Sequence, residues 1–304
     1  MLACGLSRID TRQATVLSSG RASRYVHLLR EARGREALVP QRPNYAADLE
    51  SDLRRRRFIV SFVQDFERNR KLVNAGLRAL RFVPRPLRDR AEARASQGFL
   101  EHHFGQPVPI EECARIFELA TNITRVPCVC RGANRPDSSA ESCCIVATVL
   151  PHRGLLDECF RDYRAGPYAQ GFHELTREEA IGYLQKAELR GLAHTAWTFE
   201  TPFIAAICNC DLPSGCMAMK IQLRGGVRIM WKGEDAARLD AQRCSGCGQC
   251  VPRCPFGAIR SRGPRNPVAL DRNGCWGCGT CRASCARGAL TLEPRAASEL
   301  AATW

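Results

Sequence analysis

Residues 244–285 read CSGCGQCVPRCPFGAIRSRGPRNPVALDRNGCWGCGTCRASC. Four cysteines in the order Cys-x2-Cys-x2-Cys-x3-Cys occur twice in this stretch, first from Cys244 and again from Cys275. The flanking residues repeat as well, since Leu239-Asp240 returns as Leu270-Asp271 at the same offset of 31 residues. A short repeat with identical internal spacing indicates a duplicated half-module.

The spacing of each half is typical of proteins that bind two [4Fe–4S] clusters. Three cysteines spaced in this way surround one face of a cubane, and the fourth iron is reached by the last cysteine of the other half. Zinc sites use pairs of cysteines separated in the sequence, so the series favours clusters over zinc. We therefore predict crossed ligand sets: Cys244, Cys247, Cys250 and Cys285 for cluster I, and Cys275, Cys278, Cys281 and Cys254 for cluster II.

Residues 236–295 resemble bacterial-type 2[4Fe–4S] ferredoxins, which implies electron transfer through two clusters. Two features depart from that family. Ala286 stands where the first half has Pro255, and the segment carries ten arginines against three acids. Ferredoxins of this type are generally acidic, so the positive charge predicts a redox partner with an acidic docking surface.

The remaining composition limits the class of protein. Eighteen cysteines without a visible secretory signal favour a reducing compartment with metal-bound thiolates, which places the chain in the cytoplasm. The longest apolar runs, such as Ile145–Leu150, are too short to span a membrane. Residues 1–30 hold five arginines and one acid, which is compatible with a transit peptide but favours a weakly ordered tail.

The net charge of +14 raises the question of nucleic acid. The basic run Arg54–Arg57 is not interleaved with aromatic residues, and no nucleic-acid motif accompanies it. We therefore expect a solvated face or a protein-docking surface and no nucleic-acid partner. No nucleotide-binding glycine motif or phosphate-binding loop is present either.

Eight further cysteines crowd between positions 128 and 216. Two Cys-x-Cys pairs followed by one more cysteine form a candidate extra metal site, made of Cys128, Cys130, Cys208, Cys210 and Cys216. A redox-active thiol pair and plain structural cysteines remain open alternatives. His194 is a candidate imidazole ligand, although a satisfied core or surface histidine is favoured. Cys4, Cys113 and Cys159 are interpreted as structural.

A second resemblance covers residues 109–232. Its motifs are Pro-Cys-x-Cys-Arg at 127–131, the Thr-Arg-Glu-Glu-Ala helix at 176–180, Gly-Leu-x-His at 191–194 and Ile-Cys-Asn-Cys at 207–210. These resemble the N-terminal part of a poorly characterised group of 4Fe–4S dicluster proteins from anaerobic bacteria and archaea. The resemblance implies an intracellular, oxygen-averse electron-transfer role. Members often carry more cysteines after the last motif, whereas here only Cys216 follows.

The predicted fold class is α+β. We expect a tail over 1–50, a helical region over 51–108, a Cys-rich mixed domain over 109–234, a ferredoxin-type domain over 235–295 and a tail over 296–304. Helices are predicted over 51–82, from Pro109 to about Ala120 and over Arg177–Arg190, the last with a Thr176/Glu179 capping box. Phe203–Ile207 and Val227–Trp231 are predicted strands.

Together these features predict an iron–sulfur electron-transfer protein dedicated to a partner oxidoreductase. Two alternatives remain. In one, the chain is an oxidoreductase with its own metal or thiol active site in the Cys-rich domain. In the other, that domain is an interaction module that senses the redox state of the clusters.

Overall fold

The computed structural model describes residues 57, 60–61, 64–120, 122–126, 128, 130, 144–148, 173–198, 204–213 and 215–302. The predicted tail over 1–50 and the cysteines at 4, 143 and 159 lie outside the described residues. The described helices are α1 Phe66–Ala79, α2 Arg85–His102, α3 Ile110–Leu119, α4 Arg177–Leu189, α5 Met217–Arg224 and α6 Thr280–Ala283. Short 3-10 helices cover Leu80–Phe82, Arg295–Ala297 and Glu299–Ala302.

A six-stranded antiparallel sheet forms the centre of the Cys-rich part. Its strands are β1 Gly105–Pro107, β2 Asn122–Val126, β3 Cys144–Thr148, β4 His173–Glu174, β5 Ala193–Thr198 and β6 Ile204–Cys210. Their spatial order is β1-β5-β6-β3-β2-β4. The strand β1 precedes residue 109 in the chain but pairs with β5 in this sheet.

The two faces of the sheet bury different cores. Helices α3 and α4 cover one face, where Phe117 and Leu184 pack with Ile145 and Ile207 of the strands. The other face carries Ala193, Trp197, Cys208 and Cys210 and packs against α5. This division follows from the two-residue period of a strand, which sends successive side chains to opposite faces.

Helix α4 begins where the sequence predicts. The Glu179 backbone N–H donates to the Thr176 hydroxyl at 3.2 Å, and the Thr176 N–H donates to the Glu179 carboxylate at 2.8 Å. Both halves of the capping box are therefore present. The helix predicted from Pro109 is α3, which has Glu111 and Glu112 in its first turn, where they favour the helix dipole.

Four short strands organise the C-terminal part, namely β7 Asp235–Leu239, β8 Ile259–Arg260, β9 Ala269–Leu270 and β10 Leu290–Pro294. β7 pairs with β10 and β8 pairs with β9, both antiparallel. Each pair therefore joins the strand before one cysteine motif to the strand after the other. The repeat is also visible in hydrogen bonds, since Asp240 N–H donates to Ala289 O and Asp271 N–H donates to Ala258 O, both at 2.8 Å.

The α+β class is confirmed, and so are the helices over 110–119 and 177–189 and the strand after residue 203. The predicted strand Val227–Trp231 is wrong. Only Met230 makes a single bridge, to Gly105. The Ile229 and Met230 N–H groups instead donate to the Gln222 side-chain oxygen at 2.9 and 3.0 Å, so a side chain satisfies donors that a strand would pair with a neighbour.

The C-terminal part packs directly on the Cys-rich part. Arg282 of α6 forms an ion pair with Glu111 of α3 at 2.8 Å, and Gly233 N–H donates to Trp276 O at 3.0 Å. Arg295 is fully buried and donates to the carbonyls of Gly233, Asp235 and Cys275. No helix among the described residues is both long and apolar enough to cross a bilayer.

Candidate functional site

Cysteines from the two halves of the repeat lie close to one another. Cys285, Cys244 and Cys247 lie near enough to the Cys250 thiol to interact with it electrostatically, so the last cysteine of the second half lies beside the first half. Conversely, the thiol of Cys278 has Cys254 and Cys275 as neighbours. The spatial grouping therefore crosses the sequence repeat. It is carried by the crossed strand pairs, which bring the end of each half beside the start of the other.

Backbone N–H groups point at the sulfurs of this site. Ala258 N–H donates to Cys254 Sγ and Ala289 N–H donates to Cys285 Sγ, each at 3.3 Å and at equivalent positions of the repeat. The turn after Cys285, which contains Ala286, therefore makes the same hydrogen bond as the turn after Cys254, which contains Pro255. Such N–H donors stabilise thiolate over thiol, as a cluster ligand requires.

Glycine is required where the loop passes close to the backbone. Gly277 has φ +74°, and a Cβ there would lie 2.1 Å from Asp235 O. Gly246, its counterpart in the first half, has φ +70° and would place a Cβ 2.5 Å from Asn266 O. Only a residue without a side chain adopts this conformation at this distance.

The two halves differ in exposure. Cys247 is exposed, and hydrogen bonds from the Gln249 backbone N–H and the Ser245 side chain lower the pKa of its thiol. Cys275, Cys278 and Cys281 are buried. Burial raises the pKa of Cys278 to about 12, although Thr280 donates to its sulfur at 3.4 Å. Several buried thiols gathered at one place fit a site that is completed by bound metal, which draws the protons off.

The model of the 4Fe-4S dicluster domain family matches residues 243–290. The match spans all eight cysteines and both loops described above. It supports an iron–sulfur electron-transfer role for this part of the chain. Among the curated proteins, no match to the chain was found.

A second group of sulfurs lies in the Cys-rich part, and it brings together all five predicted residues. Cys130 is in hydrogen-bond contact with Cys128 and Cys216, and Cys210 with Cys208 and Cys216. The structure adds a sixth member, because Cys144 of β3 is the cross-strand partner of Cys208 of β6. Their Sγ atoms are 3.4 Å apart. We call the six residues the thiol pocket: Cys128, Cys130, Cys144, Cys208, Cys210 and Cys216.

Protonation is uneven within the thiol pocket. Hydrogen bonds donated by Cys130 and then Cys210 hold the pKa of the Cys216 thiol well below its usual range. The pKa of Cys130 is raised, chiefly by its hydrogen bond with Cys128, and the pKa of Cys210 is raised chiefly by that with Cys208. Ionisation is therefore favoured at Cys216 over Cys130 and Cys210.

His194 is not a ligand of the thiol pocket, which corrects the candidate role above. In the register of β5 and β6 it opposes Asn209, and it therefore lies on the face opposite Cys208 and Cys210. Its Nδ1 hydrogen-bonds with Asn209 Oδ1 at 2.5 Å, and Nε2 lies 3.7 Å from Glu188. Burial lowers the pKa of His194 to about 4, so the imidazole is neutral.

The other described cysteine, Cys113, is fully buried in the apolar core between α3 and the sheet. This placement agrees with a structural role. Among the described residues, no three histidine, cysteine, aspartate or glutamate side chains could hold a metal ion as they stand. This statement covers the thiol pocket and the eight cysteines of the repeat alike.

Proposed function

We propose that the chain is an electron-transfer protein whose C-terminal part binds two [4Fe–4S] clusters with crossed ligands. Cluster I takes Cys244, Cys247, Cys250 and Cys285, and cluster II takes Cys275, Cys278, Cys281 and Cys254. The observation that carries this proposal is the position of Cys285 near Cys250, whose thiol also interacts electrostatically with Cys244 and Cys247. The matching position of Cys254 beside Cys275 and Cys278 supports the second set.

The residues of the chain set the conditions for such transfer. When bound, each cluster supplies a site for a single electron. The N–H groups of Ala258 and Ala289 stabilise negative charge on the ligand sulfurs. The buried Arg295 adds a fixed positive charge next to Cys275, to whose carbonyl it donates at 2.9 Å. Both features favour the reduced state, in which negative charge accumulates.

Paired alanine replacements test the crossed ligands. Under the crossed assignment, Cys254 and Cys278 belong to one cluster, so replacing both leaves one unaltered [4Fe–4S] signal. Replacing Cys254 together with Cys250 alters both clusters and leaves none. If each half bound its own cluster, the two results would be exchanged. Electron paramagnetic resonance of reduced, anaerobically purified protein gives the readout, and Cys113→Ala serves as the buried-cysteine control.

The difference in exposure between the two halves indicates which cluster exchanges electrons with a partner protein. Cluster I reaches the surface at the exposed Cys247, whereas the three cysteines of the second half are buried. Two exposed arginines lie in this part of the chain. Arg243 approaches Gly288, and the backbone of Arg265 packs against Gly246. We propose that an acidic redox partner docks at this arginine surface and exchanges electrons with cluster I.

Charge reversal tests the docking surface. Arg243→Glu with Arg265→Glu is expected to slow reduction by an acidic flavodoxin at low salt about tenfold or more, and the difference shrinks at high salt. Arg90→Glu, an exposed arginine of α2, is the matched control. Reduction by dithionite is expected to stay unchanged in all variants. Equal flavodoxin rates for both charge variants would overturn the docking surface and leave the two-cluster assignment standing.

A further inference from the structure

The thiol pocket is built from distant parts of the chain. Cys144 lies on β3, and Cys208 and Cys210 lie two residues apart on the same face of β6. Cys216 is the N-cap residue of α5, and Cys128 and Cys130 follow the end of β2. The pairwise contacts run from Cys144 through Cys208, Cys210, Cys216 and Cys130 to Cys128. Each of the six pocket sulfurs therefore contacts at least one other sulfur.

Simple core packing does not account for this arrangement. A structural cysteine packs as a small apolar side chain and needs no sulfur neighbour. Cys113 is such a case, since it is fully buried among Ile116, Phe117 and Leu184. The pocket sulfurs instead lie within hydrogen-bond distance of one another, and the Thr195 hydroxyl approaches Cys210 Sγ at 3.9 Å. Thiols gathered in this way become ligands for a soft metal once they lose their protons.

More sulfurs converge in the pocket than one metal centre needs. A tetrahedral metal ion takes four thiolates, and so does an iron–sulfur cluster. The six cysteines can therefore supply a complete ligand set for either. The pocket packs in one apolar cluster with Cys278, a proposed cluster ligand, and this position favours the centre that carries electrons.

The position of the pocket connects it to the second half of the repeat. Cys210 and Cys216 belong to the same apolar cluster as the buried Cys278, and Cys130 and Cys208 pack against that cluster. Phe256 and Trp276 pack there too, with their rings stacked at 5.1 Å between centroids. The pocket and Cys278 therefore share one continuous apolar cluster.

We propose that the thiol pocket binds a third iron–sulfur cluster, which exchanges electrons with the cluster ligated by Cys278. The electron-exchange part rests on the proposed function of the C-terminal repeat, whereas the binding part does not. Assembly releases the protons of those thiols that become ligands and breaks no bond of the chain. In the transfer itself one electron leaves one cluster and enters the other, while the thiolates stay bound.

Iron and sulfide analysis of the full chain, purified without oxygen, tests the binding part. Two clusters account for about eight irons, so the proposal expects a clear excess over that number. Cys208→Ala with Cys210→Ala is expected to remove only the excess, and so is Cys144→Ala if the double variant fails to fold. Cys113→Ala is the matched control and keeps all the iron. Cys254→Ala with Cys278→Ala removes cluster II and keeps the excess.

Electron paramagnetic resonance tests the exchange. The signal of the pocket cluster is expected to be broadened by cluster II, and to narrow in the Cys254→Ala/Cys278→Ala variant. About eight irons in the parent protein, with zinc or a disulfide in the pocket, would overturn the third cluster but not the first two. If Cys208→Ala with Cys210→Ala removes the excess iron but the signal of the pocket cluster has the same line width in Cys254→Ala/Cys278→Ala as in the parent protein, the exchange is overturned. Iron that depends on Cys208 but not on Cys250 or Cys278 would instead refute the proposed function of the repeat.

Discussion

Replacing Gly277 by alanine provides a direct test of the loop geometry around the second half of the repeat. The residue has φ +74°, which costs an alanine about 1–2 kcal/mol. The new Cβ would also meet the Asp235 carbonyl oxygen at 2.1 Å. That carbonyl is held by β7 and accepts a hydrogen bond from Arg295, so it does not move freely. Overpacking of this kind adds about 1–3 kcal/mol.

Gly257→Ala is the matched control, because Gly257 has φ +70° and a Cβ there meets nothing within 4 Å. The difference between the two variants isolates the contact with Asp235. In a domain of about 60–100 residues, an extra cost of about 2 kcal/mol lowers the melting temperature by about 8–16 °C. Anaerobic thermal unfolding, followed by circular dichroism and by visible cluster absorbance, measures it. Melting temperatures of the two variants within about 1 °C would refute the reasoning.

Three further predictions concern the body of the protein. Thr176→Ala removes the acceptor for the Glu179 N–H and is expected to cost about 1 kcal/mol in urea unfolding, whereas Thr176→Ser should keep most of it. The Arg282–Glu111 ion pair is partly exposed. A double-mutant cycle with Arg282→Gln and Glu111→Gln should therefore give a coupling free energy below about 1 kcal/mol, which decreases as the salt concentration rises. A larger coupling free energy that does not depend on salt contradicts this prediction. Burial lowers the pKa of His103 to about 4. As the pH falls, the imidazole of the unfolded chain is therefore protonated before that of the folded chain. The free energy of unfolding should then decrease by up to about 3 kcal/mol between about pH 6.5 and 4. His103→Gln should flatten that part of the pH profile, and an unchanged profile would show that His103 does not cause it.

The sequence by itself determined the features that depend on neighbours along the chain. The two cysteine motifs, the capping box at Thr176 and Glu179 and the start of α3 at Pro109 all follow from residues within a few positions of one another. A strand was predicted over Phe203–Ile207 for the same reason, and the observed strand β6 continues through Cys-Asn-Cys to Cys210. Such signals are legible because a turn, a cap or an alternating strand is specified by local backbone geometry.

Tertiary structure decided everything that depends on which strands pair and in what register. Cys144 joins the thiol pocket only because it opposes Cys208, and His194 leaves it only because it opposes Asn209. Residues 227–231 make one bridge to Gly105 instead of a strand, and the Gln222 side chain accepts two of their backbone donors. The exposure of Cys247 and the burial of Cys278 are likewise set by packing against the Cys-rich part. Shifting a register by one residue reverses the face of every side chain, and the energies that select it come from contacts between segments far apart in the sequence.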